Sequence, residues 1–298
     1  MTTVAYPLLE PPWGPLLGIY FILIGLVSGA SLVSLWARHN ADDGVRLEWI
    51  LDWIGIGMLT VASTILLVDL GRPTRFFLML TEFSNLHSPM SVGAKVVALE
   101  FFLLAISLYL LHRQRRALAT GETRMAAGPT QWTFLTMRFM LGLTGFFLAV
   151  YPVVLLSRTW SSPLAKSPGS ALIFLVTAAV MGTGLAWIVA ASRVGGAEST
   201  VAAQLGRTLM ALVCIEMILL GLEALALVNA GPRTEAAVEE LTHGGGRTAF
   251  WGLVVGVGMA VPLLGMLLPR RPRAASLVRA VAAIVGAGAT RYLLFAAR

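Results

Sequence analysis

The sequence predicts an all-α polytopic membrane protein, and three observations carry that prediction. Of its 298 residues 57% are hydrophobic and 12% charged, with mean hydropathy +0.80, a composition too apolar for a soluble domain with a polar surface. The apolar residues fall into eight runs, at about 15–36, 50–68, 92–111, 139–156, 171–191, 209–228, 249–268 and 278–297, each near the ~20 residues that a helix needs to cross the hydrocarbon. No basic segment precedes the first run, which is therefore expected to be a permanent helix and not a cleaved leader. The reading is one integral membrane domain over residues 1–298, with two four-helix bundles as one arrangement open to it. A seven-span count also stays open, because the last run is rich in Ala and Gly and carries Arg279 and Arg291.

Orientation follows from the cations. With eight spans, thirteen of the 22 Lys and Arg fall on one side and eight on or near the other, with Lys95 inside a span. The richer side is the cytoplasmic one. Both termini are then expected on the outer, periplasmic side of a cytoplasmic (inner) membrane. The net charge of +7 is a topology signal, and nothing in it asks for nucleic acid.

Taken in order, the first run places Gly25 and Gly29 at GxxxG spacing beside Ser28, Ala30 and Ser31, a pattern that lets a neighbouring helix approach closely. Tyr20, near its outer end, reads either as an interface aromatic or as a hydroxyl turned into a pocket. The link 37–49 is polar, and Asp52 just beyond it reads as solvated or capping. The second run leaves the membrane at Asp69-Leu-Gly-Arg-Pro-Thr-Arg75, where Pro73 stops the helix and Phe76–Leu80 gives a short interfacial stretch. The plain reading of that segment is a helix cap followed by a linker. In the third run Lys95 lies ~5 Å and Glu100 ~12 Å from the outer end; the lysine can snorkel, whereas the glutamate must find a partner. The basic run His112-Arg-Gln-Arg-Arg116 opens the longest link, 112–138, and reads as a topology anchor.

The fourth run ends in Tyr151-Pro152, where proline bends the helix and frees a carbonyl. The fifth, with Gly182, Gly184 and no ionisable group, reads as packing. In the sixth, Glu216 and Glu223 are seven residues apart and share one face, ~18 Å and ~8 Å from the outer end. Gly252 and Gly256 give the seventh a predicted close-packing face, and Pro262 a kink. Arg291-Tyr292 lies ~9 Å from the outer end of the eighth.

Asp69, Lys95, Glu100, Glu223 and Arg291 thus come from four spans yet share the outer half of the membrane. Isolated charges there cost about 2.5–3.5 kcal/mol each on insertion, so they are expected to pair or to line one polar cavity. The alternative is a set of buried ion pairs that only fix helix register. Glu216 lies deeper, as a candidate proton carrier or as a hydrogen-bonded structural glutamate. The single cysteine, Cys214, excludes a cysteine-ligated iron–sulfur cluster, and His39, His87, His112 and His243 offer no facing pair for a haem. No metal centre is expected in this protein.

The ordered set Asp69-Leu-Gly-Arg-Pro73, Arg75-Phe76, Met79-Leu80, Ser88-Pro-Met-Ser91 and Gly93-Ala94 resembles the NrfD/PsrC family of polysulfide-reductase-type integral membrane subunits. Gly25–Ala30, Tyr151 with Leu155-Leu-Ser157, Pro163-Leu164, Leu172–Val176 and Arg291-Tyr292 extend the likeness over most of the sequence. The resemblance implies a haem-free, cluster-free membrane anchor that passes electrons between a quinone (menaquinone or ubiquinone) and a ferredoxin-like iron–sulfur subunit on its outer face. That subunit is in turn joined to a molybdopterin catalytic subunit, so the protein is not expected to be active alone. Carried over by position, Asp69 and Arg72 belong to the family block beside the quinone pocket and Arg291 to the terminal Arg-Tyr element; together with the buried acids this makes Asp69, Glu100, Glu223 and Glu216 the candidates for proton exchange, and Tyr20, Arg72, Tyr151 and Arg291 those for holding the quinone. Tyr20 stands where some relatives carry a histidine, and Pro152 replaces the glycine usual after the family tyrosine. Two other classes fit the buried acids: a secondary transporter or proton-conducting carrier, which lacks the internal repeat expected of it, and a purely structural anchor.

Overall fold

The computed structural model describes residues 14–35, 41–69, 81, 88–120, 129–157, 164, 167–193, 200–265 and 273–296, and every regular element among them is helical. In order these are α1 (Gly14–Ser34), α2 (Ala41–Asp69), α3 (Pro89–Thr120), α4 (Pro129–Ser157), α5 (Pro168–Arg193), α6 (Thr200–Val228), a short α7 (Pro232–Thr242), α8 (Ala249–Leu264) and α9 (Arg273–Ala296). Arg72, Pro73, Arg75, the stretch 76–80, His39, His87 and Pro163 lie outside the described residues.

Seven of the helices are long and apolar enough to cross a membrane: α1 to α6 and α9. The seventh predicted run, 249–268, is helical over Ala249–Leu264 but short. Its first twelve residues, Ala249–Ala260, are wound as a π-helix, the Val261 N–H bonding back five residues to the Gly256 carbonyl, and the four of Val261–Leu264 complete it. Sixteen helical residues span about 24 Å at most, less than the ~30 Å hydrocarbon core. The last run, whose arginines had left it open, is by contrast one of the long helices. Its charges are taken up by protein: Arg279 donates to the Ala275 and Gly265 carbonyls and lies over the Trp187 ring, and Arg291 is fully buried.

The helices outrun the apolar runs at the arginine-rich end of the bundle. α2 begins at Ala41, inside the expected link 37–49, and α3 continues through the basic run to Thr120. α4 begins at Pro129 and so holds Arg138 in its body rather than in a loop. α7, within the expected outer link, starts with a proline in its first turn after Gly231, whose φ of +142° only glycine adopts readily. It packs Ala237, Val238 and Leu241 on the core, and Trp251 Nε1 donates to the Thr242 carbonyl at its end.

α1 packs against α2, α4, α5 and α9, and α3 against α2 and α4; α5 packs against α6 and α9, and α9 carries α8. Because lipid tails are as apolar as leucine, such contacts depend on close van der Waals fit and small residues. Gly29 of α1 meets Gly182 of α5 so tightly that a Cβ on either would collide with the other helix's backbone. This bears out the packing role read for both. At α8 the reading was off by a face: a Cβ on Gly252 would meet nothing and one on Gly256 only its own helix, whereas Gly258 packs on Gly286 of α9.

Candidate functional site

The first four helices enclose a narrow cleft at the end where α1 begins and α2 finishes. Its walls are Leu17 and Tyr20 from α1, Leu66 from α2, Met90 and Ala94 from α3, and Tyr151 and Leu155 from α4, closed to a space that holds about one water molecule. Among the described residues, the two phenols are the only side-chain O–H groups in that lining. Tyr20 is 2% exposed, so its hydroxyl is turned inward and is not an interface anchor. Tyr151 lies against Gly93, where a Cβ would fall within its ring. The glycine of the Ser88-to-Ala94 motif is therefore the seat that holds the phenol at the cleft.

Asp69 stands at the exposed end of α2, three residues beyond Leu66, with its carboxylate 4.0 Å from where a Cβ on Gly14 would lie. It is at the same end of the bundle as the cleft without lining it. Lys95 donates to Ser91 Oγ at 2.6 Å, one turn towards the start of α3.

Below the cleft runs a column of buried polar groups. Glu100 is wholly buried, six residues or ~9 Å along α3 from Ala94. Its two oxygens accept from Ser31 Oγ of α1 at 2.5 Å and from Thr144 Oγ1 of α4. Thr144 is two turns from Tyr151 and so shares its face. Two further turns along α3, Ser107 Oγ donates to Asp52 of α2 at 2.5 Å. Arg138 of α4 pairs with Asp52 at 3.4 Å and with Glu48 at 2.9 Å, all three with at most 4% exposure. Asp52 is thus neither solvated nor capping. Glu48, Ser107 and Arg138 are the polar residues that sequence reasoning missed. The signal that could have found them was the four-residue spacing of Glu48 and Asp52, which puts both on one face of α2.

The remaining candidates occupy other places. Arg291 of α9 donates through Nε to Thr177 Oγ1 at 2.9 Å, through Nη1 to the Phe21 carbonyl at 3.2 Å and through Nη2 to the Phe174 carbonyl, with the guanidinium over the Phe174 ring. Gly25 makes room for it, since a Cβ there would lie 2.7 Å from the guanidinium carbon. The fork joins α1, α5 and α9 and does not line the cleft. Glu216 of α6 accepts from Thr290 Oγ1 at 3.1 Å, and Glu223 packs its carboxylate on Gly169 at the start of α5. Buried at 3% and 8% exposure, neither lines the cleft. The expected single cavity shared by Asp69, Glu100, Glu223 and Arg291 is replaced by separate settings: hydroxyls hold Glu100, a hydroxyl and two backbone carbonyls hold Arg291, Asp69 is exposed, and Glu223 Oε1 is buried with no hydrogen-bond partner among the described residues. Among the described residues no three His, Cys, Asp or Glu side chains stand together as a metal site.

An all-helical integral membrane protein with a tyrosine-lined cleft above a buried carboxylate is the class that this fold and site define. The family model "Polysulphide reductase, NrfD" matches residues 5–298, and the protein belongs to that family. It is also 28% identical over 305 residues to the C subunit of polysulfide reductase from Wolinella succinogenes, a match that covers 95% of this sequence and 93% of that one.

Proposed function

We propose that this protein is the quinone-reactive membrane subunit of a respiratory oxidoreductase, exchanging electrons between the quinone pool and an iron–sulfur subunit docked at its outer face. The observation that carries the reading is the pairing of a buried phenol, Tyr20, with a partly buried one, Tyr151, in one apolar cleft at the end of α2, the helix that precedes the Asp69-Leu-Gly-Arg-Pro block in sequence. The chemistry of the lining, though not its present width, suits a quinone, and the side chains must part to admit one. Its flat ring suits walls of Leu17, Leu66, Met90 and Leu155, and its carbonyls accept from tyrosine O–H groups. When bound, the quinone supplies two-electron, two-proton redox chemistry.

The protein's own residues orient that ring and manage protons. Tyr20 and Tyr151 donate to the carbonyls, with Asp69 at the same end of the bundle and Arg72, three residues on in sequence, as a further partner. Glu100, about 9 Å further in and held by Ser31 and Thr144, takes up or releases a proton. In this reading α8 is an eighth crossing and the eight form two bundles of four, with both termini outside. As in the relative, whose name makes it one part of polysulfide reductase, the catalytic centre belongs to partner subunits, here an iron–sulfur protein and a molybdopterin enzyme.

The test is quinol-dependent electron transfer in the assembled complex carrying Tyr151→Phe, Asp69→Asn or Arg72→Ala. Each variant is expected to lose at least tenfold in turnover with assembly intact. Wild-type turnover in all three removes the assignment. A secondary transporter or a structural anchor predicts turnover unaffected by Tyr151→Phe.

A further inference from the structure

A second site lies at the opposite end of the molecule, on the side where the arginines concentrate. It is an open groove of about 480 Å³ lined by Arg46, Trp49, Ile50 and Ile54 of α2, Arg115 of α3, and Val189 and Ser192 of α5. Arg46 and Arg115 are exposed, and among the described residues neither faces a carboxylate. The acids Glu48 and Asp52 of α2 are turned to the interior and engaged by Arg138, so among the described side chains the lining of the groove carries only positive charge. The Arg115 guanidinium lies over the Trp49 ring, 4.4 Å from its centroid, which folds it back over the groove. On the far wall Arg273 donates to the Ser192 carbonyl at 3.0 Å and brings a third cation to the rim.

The chemistry is graded with depth. Arg46, Ile50 and Ile54 are spaced by four along one stripe of α2, so the isoleucines lie ~6 and ~12 Å deeper than the arginine. Trp49 stands at the level where aromatic rings anchor a membrane interface. A cationic rim, an aromatic at the boundary and an apolar floor descending into the bilayer match the order of phosphate, glycerol and acyl tail.

We propose that this groove binds an anionic phospholipid of the cytoplasmic leaflet, its phosphate held between Arg46 and Arg115 and one acyl tail laid along Ile50, Ile54 and Val189. Basic pockets between transmembrane helices on this side of a membrane are suited to such headgroups. The site is separate from the tyrosine cleft and does not depend on the redox reading.

The experiment is native mass spectrometry of the full-length protein in detergent, titrated with phosphatidylglycerol, cardiolipin or phosphatidylcholine. Wild-type protein is expected to retain the anionic lipids and shed phosphatidylcholine. R46Q/R115Q is expected to bind phosphatidylglycerol about 30-fold more weakly, since each surface cation contributes roughly fivefold. R46K/R115K retains most of the binding, and R113Q, altered at an exposed arginine outside the groove, matches wild type. Equal retention of charged and neutral lipids by wild type, or unchanged retention by R46Q/R115Q, overturns the proposal. So does release of the bound lipid by millimolar inorganic phosphate, which makes the occupant a free anion.

Discussion

Gly93→Ala tests the seat of Tyr151 in two ways at once. In an ordinary helix interior, replacing glycine by alanine stabilises by about 1 kcal/mol. Here the new methyl group falls within the Tyr151 ring, and overpacking of this kind costs about 1–3 kcal/mol. With the methyl overlapping a ring carbon the clash belongs in the upper part of that range, about 2–3 kcal/mol, so the net expectation is destabilisation by about 1–2 kcal/mol, with the phenol pushed out of the cleft. If that phenol orients the quinone, a displacement of this size lowers quinol-dependent turnover by one to two orders of magnitude. Removing the ring reverses the sign. In a Tyr151→Ala background, Gly93→Ala has open space and recovers the helix gain, giving a coupling of about 2–3 kcal/mol between the two positions. The assay is a double-mutant cycle by thermal unfolding in detergent, with turnover of the assembled complex measured on the same samples. Additive effects, or a Gly93→Ala protein as stable and as active as wild type, would refute the packing argument.

Three further outcomes follow from the buried polar groups. Glu100→Gln keeps an acceptor for Ser31 and Thr144 while losing the exchangeable proton, so unfolding should shift little while turnover falls tenfold or more; equal loss of stability and activity would make Glu100 structural. Arg291→Met leaves the Phe21 and Phe174 carbonyls and Thr177 without their shared donor and is expected to cost about 3–5 kcal/mol, measured by unfolding or accumulation. Arg291→Lys should rescue it poorly, because one ammonium cannot reproduce a fork that reaches α1 and α5 together. Arg138→Gln strands two buried carboxylates and is expected to destabilise by about 3–5 kcal/mol, with partial recovery in the triple variant that adds Glu48→Gln and Asp52→Asn.

The long helices were legible because crossing a bilayer demands an apolar run of set length, and length and hydropathy are local properties. α8 was less legible: its composition is apolar throughout, and hydropathy does not register that the helix is short and π-wound. Arg138 was read as a loop residue because apolar runs stop where charges begin, whereas helices continue past them. Tyr20, Tyr151 and Glu100 stood out as single residues. Their surroundings did not, since Ser31 and Thr144 are ordinary helix residues until α1, α3 and α4 pack together. Arg291 shows the same limit from the other side. A buried arginine signals a demand for acceptors, and the sequence cannot tell a ligand from the backbone carbonyls of two neighbouring helices.

The central claim is that the cleft between Tyr20 and Tyr151 receives the quinone, and photolabelling tests it most directly. An azidoquinone irradiated with the assembled complex should modify peptides around Leu17–Phe21 of α1 and Tyr151–Leu155 of α4, with labelling suppressed by excess native quinol and reduced in Tyr20→Phe/Tyr151→Phe. Labels confined to α5, α6 and α9 around Thr177, Glu216 and Arg291, or labelling of α1 and α4 that excess quinol does not suppress, would contradict it.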